Sequence, residues 1–425
     1  MASQFLRNYL STILLLVGVI IGGAVGIIFG PGASVLRPVG TLFLNLVFVL
    51  VVPIVFVSVA NAMIGLRKNG LMGRVLLTAV GVFLAMSVVV AMISYASVLI
   101  YNPFQGMEGT GVSDGMSDAA GRFELPLGDT LVAMFTVSDF VHLLSKDNLL
   151  PLVVIAIFFG LAVSSEGPKA QGIASALQQV EGVIFKMMKY VMYFAPIGIG
   201  CYFADTVGTL GSQIVGGFMK MLVMTLILTL VIFFVLHSAY ILLFTKIPLG
   251  TYWRNMIEPS LTAMGTCSSA ASMPVTIEAV RGMGASPAIA QSVVPLGINL
   301  HKDGSVLIGI YKVVLAMVAF SQFTPSVGNF LLAAGVTILV STVVGAIPIG
   351  GMTGEILICS VLGLDPSFAA TLLIIGTLCD IPATLLNTSA NATAAAMVDG
   401  LSGTRARRPG KEEGALETPA QNKSN

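Results

Sequence analysis

Long apolar runs separated by short polar steps cover the chain from Thr12 to Val398. Thr12 to Phe29 and Thr41 to Met63 are each long enough to cross about 30 Å of hydrocarbon, and Pro53 predicts a kink in the second. Val75 to Tyr101 is a third span, and Val215 to Thr245 is long enough to cross at a tilt. Leu131 to Leu144 and Leu149 to Val163 are shorter and stand on either side of the polar step Ser145-Lys146-Asp147-Asn148, which predicts a helix in several parts. Ala174 to Tyr202 reads as one helix kinked at Tyr193 to Gly198.

From Thr251 onward, Ser, Gly and Pro interrupt the apolar segments in their middles. The first interruption is Gly265-Thr266-Cys267-Ser268-Ser269-Ala270-Ala271-Ser272-Met273-Pro274, followed by a helix broken at Pro295 to Ser305. The second is Gly345 to Gly351, followed by Cys379 to Asn387 inside the last apolar run. Paired interruptions in two successive halves predict a secondary transporter with inverted repeats, its half-helix ends meeting at a site near the midplane. The first break carries His301, Lys302 and Asp303 side by side. A charge at the bilayer centre costs about 2.5–3.5 kcal/mol, so these must face a cavity or a partner. Gly297 and Gly304 permit a broken helix, whose freed backbone groups are tolerated only in a protein-lined cavity.

Composition agrees. Of 425 residues, 56% are hydrophobic and 10% charged, with a mean hydropathy of +0.95, against roughly 25% charged in a soluble domain. This predicts an all-α polytopic membrane protein. Cys201, Cys267, Cys359 and Cys379 lie in apolar stretches without CxxC or Cys/His spacing, so reduced, inert thiols are expected, with no disulfide framework and no cofactor. A net charge of +1, with its basic residues in short loops and the tail, argues against a nucleic-acid partner. Arg67, Lys68 and Arg74 place their loop in the cytoplasm, as do Lys246 and Arg254 theirs; Asn102 to Asp129, with Glu108, Asp114, Asp118 and Glu124, reads as an external loop. Both termini are then cytoplasmic, the first apolar run is an uncleaved helix, and residues 401–425 form a disordered tail. His142 and His237 read as hydrogen-bonded packing residues.

Three motifs carry a resemblance. Ser268 to Thr276 (SSAASMPVT), Pro295 to Ser305 with its PLG and DGS, and Asp380, Thr384 and Asn387 in the final run resemble the dicarboxylate/amino acid:cation symporter family, which includes the excitatory glutamate transporters and the neutral amino acid exchangers; Phe194 to Gly198 matches its YAPIG. The resemblance implies about eight transmembrane helices plus two re-entrant hairpins, in an elevator that slides a transport core against a trimerising scaffold in the plasma (inner) membrane. In that scheme residues 1–71 are scaffold helices 1 and 2, 72–101 the third helix, 102–128 the external loop, 129–210 scaffold helices 4 and 5, 211–250 helix 6, and 251–400 the transport core. It further implies that Ser268, Ser269 and the backbone near Cys267 and Ile347 hold a substrate carboxylate, that Asp380 meets an ammonium, and that Ser305, Thr384 and Asn387 add neutral hydrogen bonds. Helix-bridging by these Ser, Thr and Asn side chains is the plainer alternative.

The chain departs from the family pattern at the cation sites. His301-Lys302-Asp303 replaces Asn-Met-Asp, Asn391 stands where amino acid carriers place a carboxylate, and Val82, Ala85 and Met86 stand where the third span tends to offer oxygens. Sodium wants several oxygen ligands, and residual sodium could be held at Asp303 and Asn387 alone. The expectation is that Lys302, with His301, supplies part of the charge of bound sodium, so that coupling is to protons or to fewer sodium ions. Glu355 is the expected additional counter-ion of Lys302; the plainer alternative is that Lys302 snorkels or pairs with Glu355 as structure alone. Ala383 replaces the arginine of glutamate and aspartate carriers, which favours a neutral amino acid; Asn391 favours a C4-dicarboxylate instead. An intramembrane hydrolase using Ser268 or Ser269 with His301 or Lys302 lacks a GxSxG elbow, and a channel lacks repeated pore charges.

Overall fold

The computed structural model describes residues 2–68, 73–105, 107, 132, 135–145, 148–210, 213–320, 323–345 and 351–402. Among them every regular element is helical. The expected tail from 403 onward, nearly all of the external loop beyond Phe104, and the second interruption from Ala346 to Gly350, with Ile347, lie outside the described residues.

The first body is built from α1 (Ala2–Phe29), α2 (Arg37–Lys68), α4 (Leu149–Glu166), α5 (Gln171–Met192) and α6 (Ala195–Leu210), with α3 (Gly73–Ile100) intervening in the chain. α1 runs along α6, and α2 packs on α4, α5 and α6. Glycine makes the first pairing possible: a Cβ at Gly18 or Gly22 would run into the backbone oxygens of Pro196 or Gly200, and one at Gly26 into Ala204. Small residues at four-residue spacing let helix backbones touch where lipid offers no hydrophobic drive. The expected single helix from Ala174 to Tyr202 is two helices, because the chain turns at Tyr193 and Phe194 and restarts with Pro196 near the first position of α6. Of Leu131 to Leu144, the described residues hold one helix of any length, the single turn Phe140–Leu143, with His142 exposed rather than packed.

α7 (Gln213–Leu230) continues through a π-helical stretch, Val231–Leu236, into α8 (His237–Phe244). The second body follows: α9 (Leu249–Thr266), α10 (Met273–Gly282), α11 (Pro287–Leu300), α12 (Asp303–Ala319), α13 (Val327–Gly345), α14 (Gly351–Leu362), α15 (Ala369–Leu378) and α16 (Asp380–Ser402). α16 is its axis. All of it from Pro382 to Asp399 is buried, and α3, α8, α9, α10, α11 and α12 pack around it. Its run of Ala, Ser, Thr and Asn is too polar to read as an ordinary span, yet small enough to admit that many neighbours. α15 and α16 meet at a 71° bend at Cys379.

Among the described residues, four helical stretches are long and apolar enough to cross a membrane, or five if α15 and α16 count as one. α9 to α14 are each shorter than 20 residues and reach across about 30 Å only in pairs. Outward-facing Ile20, Ile28, Leu77, Leu226 and Leu243 are exposed, as lipid-facing positions should be.

Candidate functional site

The first interruption is a helical hairpin tip. α9 ends at Cys267, a non-glycine residue in the left-handed region (φ +48°), and its N–H bonds to Ala263 O at 2.9 Å. The Ser268 hydroxyl turns into the tip, accepting from Ala271 N–H at 3.2 Å, while Ser272 Oγ donates to Ser268 O at 3.0 Å. Ser269 is buried and has no hydrogen bond among the described residues. The arms α9 and α10 both pack on α16, and Tyr252 Oη lies 2.8 Å from Thr393 Oγ1.

The polar break falls where the sequence places it. α11 stops at Leu300, His301 is extended and its N–H bonds back to Gly297 O at 2.7 Å, and α12 starts at Asp303 after Lys302. Gly304 has no room for a side chain, because a Cβ there would enter the backbone of Ala383 on α16. That close approach brings Asn387 to the break: its Oδ1 accepts from Ser305 N–H at 3.2 Å and its Nδ2 donates to Ser305 Oγ at 3.3 Å. One of the free N–H groups of the first turn of α12 is thereby satisfied from a neighbouring helix. Thr384 hydrogen-bonds Asp380 on the same helix.

His301 and Asp303 are fully enclosed, with 1% and 0% of their surface exposed. The imidazole stacks on Phe83 with ring centroids 4.8 Å apart and planes 8° from parallel. Its Nε2 lies 2.9 Å from Asp303 Oδ1, although its N–H does not align as a hydrogen bond, and its Nδ1 lies 3.3 Å from Asn391 Oδ1. The remaining contact of Asp303 Oδ1 is the Ser87 hydroxyl at 3.4 Å. The oxygen that α3 offers is therefore Ser87, one position beyond the Val82, Ala85 and Met86 set, of which Ala85 faces outward. Around this cluster Asp303 Oδ2, Asn391 Nδ2, Tyr240 Oη and both ring nitrogens of His237 lack partners among the described residues. His237 is buried, but it is not the hydrogen-bonded residue expected; it lies within electrostatic reach of Asp303 and His301.

The expected ion pairs are rearranged. Glu355 bonds to Lys312 on α12, not to Lys302, and the neighbour of Asp303 is His301, not Lys302. Lys302 makes no ion pair among the described residues, and Asp380 is the carboxylate whose field it shares. Lys312 was not expected at the site although its signal was plain: a lone lysine in the apolar run of α12 must have a buried acid. The fold thus joins Ser305 to Asn387 and His301 to Asp303 and Asn391, and leaves Lys302 in the field of Asp380. A separate groove of about 710 Å3, lined by Phe48, Pro53, Phe56, Leu144 and Ile184, lies on the first body and carries none of these groups.

The family model for the sodium:dicarboxylate symporter family matches residues 12–401. The chain is 26% identical over 328 residues to "C4-dicarboxylate transport protein 1" of Ralstonia nicotianae, covering 72% of this chain and 75% of that one. It is 26% identical over 305 residues to "C4-dicarboxylate transport protein" of Sphingopyxis alaskensis, covering 70% and 66%. Against "Excitatory amino acid transporter 1" of Homo sapiens it is 27% identical over 238 residues, 53% of this chain but 42% of the human protein.

Proposed function

The chain belongs to the sodium:dicarboxylate symporter family, and from that premise we propose that it is a secondary symporter of a small neutral amino acid with altered cation coupling. As a member of a family of symporters it is a multi-pass membrane protein and a carrier, and the hydrolase alternative falls away.

One observation carries the substrate reading. Lys302, without an ion pair among the described residues, and Asp380 stand in one another's field at the break of α11–α12 and the head of α16. A zwitterion has the charges to lie between them, its carboxylate toward Lys302 and Ser269 and its ammonium toward Asp380, with Ser305, Thr384 and Asn387 adding hydrogen bonds. Ala383 leaves a second substrate carboxylate without a guanidinium. A C4-dicarboxylate is the second reading. Asn391, which holds the His301 imidazole rather than adding a third acid, favours it, and Lys302 would then take one carboxylate.

For coupling, the imidazole of His301 already stands against Asp303 Oδ1, where a cation would otherwise be needed. This supports coupling to protons, or to fewer sodium ions, with Asp303 and Asn387 as the remaining sodium oxygens. The looser packing between the two bodies than within them supports an elevator in which the second slides against the first. The same reading makes the protein a homotrimer in the inner membrane, with both termini cytoplasmic.

A thermal-shift screen of purified protein against amino acids and dicarboxylates tests the substrate: stabilisation by succinate and by no neutral amino acid would overturn the preference. Uptake into proteoliposomes under separately imposed sodium and proton gradients tests the coupling. Strict dependence on several sodium ions per substrate contradicts it.

A further inference from the structure

Lys312 is paired with one carboxylate and lies in the field of a second. From α12 its ammonium bonds Glu355 Oε1 on α14, and it also acts on Asp380 at the head of α16, ahead of Lys302. Glu355 is 1% exposed, and its Oε2 has no partner among the described residues. Beneath the pair lies Gly376 of α15, where a Cβ would stand 3.0 Å from Lys312 Nζ and 3.3 Å from Glu355 Oε1. The absent side chain at Gly376 leaves the Lys312 ammonium and the Glu355 carboxylate room against α15. Gly376 is also four residues before Asp380, just across the bend. One ammonium therefore reaches three elements, including the arm that follows the second interruption.

We propose that Lys312 is a shared counter-ion that positions this arm: it holds α14 through Glu355 while Asp380 draws on the same charge. Neutralising Asp380 removes the competing pull and the repulsion between the two acids, so the hold on α14 tightens. The functional consequence rests on the reading above, in which a substrate ammonium neutralises Asp380. Substrate at α16 would then secure α14 without touching it, and by linkage a secured α14 would bind substrate more tightly.

The test is backbone hydrogen exchange of the full chain in lipid nanodiscs, followed on peptides from residues 351–362 with no ligand added. Lys312→Met should raise exchange there about a hundredfold, because it strands a buried carboxylate. Asp380→Asn should lower it about fivefold, the small end of coupling between sites, and should do nothing in the paired apolar variant Lys312→Met/Glu355→Leu, which keeps the protein folded if Lys312→Met alone does not. A purely structural pair predicts no slowing in Asp380→Asn, and that result overturns the proposal. So does the same slowing in the paired variant, which would show that Lys312 is not the link. Because no substrate is present, failure of every amino acid to bind leaves this outcome untouched. The amino acid that stabilises the wild type should reproduce the slowing.

Discussion

Replacing His301 by Asn removes the imidazole that now covers Asp303, and with it two sources of stability. The stack on Phe83, at 4.8 Å and nearly parallel, contributes on the order of 1 kcal/mol. The electrostatic loss is greater: Asp303 is completely enclosed, and with Nε2 gone from 2.9 Å its oxygens keep one hydroxyl, Ser87 at 3.4 Å. Stripping one partner from a buried pair costs about 3–5 kcal/mol, so the uncovered carboxylate dominates. A small cation entering beside Asp303 offsets it, and at a hundredfold excess over its Kd such an ion restores about 2.7 kcal/mol. His301→Asn should therefore be markedly less stable than wild type in choline buffer and recover roughly half of the loss in sodium, whereas wild type responds little to sodium. Thermal unfolding of both proteins in choline, potassium and sodium chloride at equal ionic strength measures this. If wild type gains as much from sodium as the variant does, the imidazole is not standing in for an ion and the reasoning fails.

Three smaller outcomes follow from packing and hydrogen bonding. Gly22→Ala should destabilise by about 1–3 kcal/mol, since its methyl enters the Gly200 backbone. Gly81→Ala, on α3 with nothing within 4 Å, should stabilise by up to about 1 kcal/mol; equal effects in denaturant unfolding would refute the close α1–α6 approach. Gly304→Ala should push α12 away from Ala383 and weaken substrate binding in a direct titration more than it lowers stability, because the break is pinned there. Asn387→Ala should cost more than Ser305→Ala, roughly 1–3 against 0.5–1.5 kcal/mol, because only the first leaves a backbone N–H unmet; the reverse order would put the hydrogen bond elsewhere.

What could be read along the chain was whatever breaks the helical pattern locally. His301 and Lys302 announce the gap between α11 and α12 by charge and flanking glycine, and Cys267 falls at a tip because small polar residues leave no apolar face to continue. Partnership is different, because it depends on rotation about helix axes that periodicity does not fix. Glu355 could be assigned a cation from sequence only by nearness to the site, and the fold gives it Lys312, 43 positions away and one helix over. The same limit explains Ser87: moving one residue along a helix turns the side chain by about 100°, so a loose alignment on Val82, Ala85 and Met86 loses the one hydroxyl that reaches Asp303. His237 was misread for a related reason. The π-helical stretch just before it shifts the register of α8, and a 3.6-residue pattern then cannot place its ring in the polar cluster. Gly18, Gly22 and Gly26 form a four-residue repeat, but the repeat does not name α6 as the helix that comes close to them. Charges in this protein therefore locate the site from sequence, while a close backbone approach such as that of Gly304 to Ala383 decides which polar groups meet.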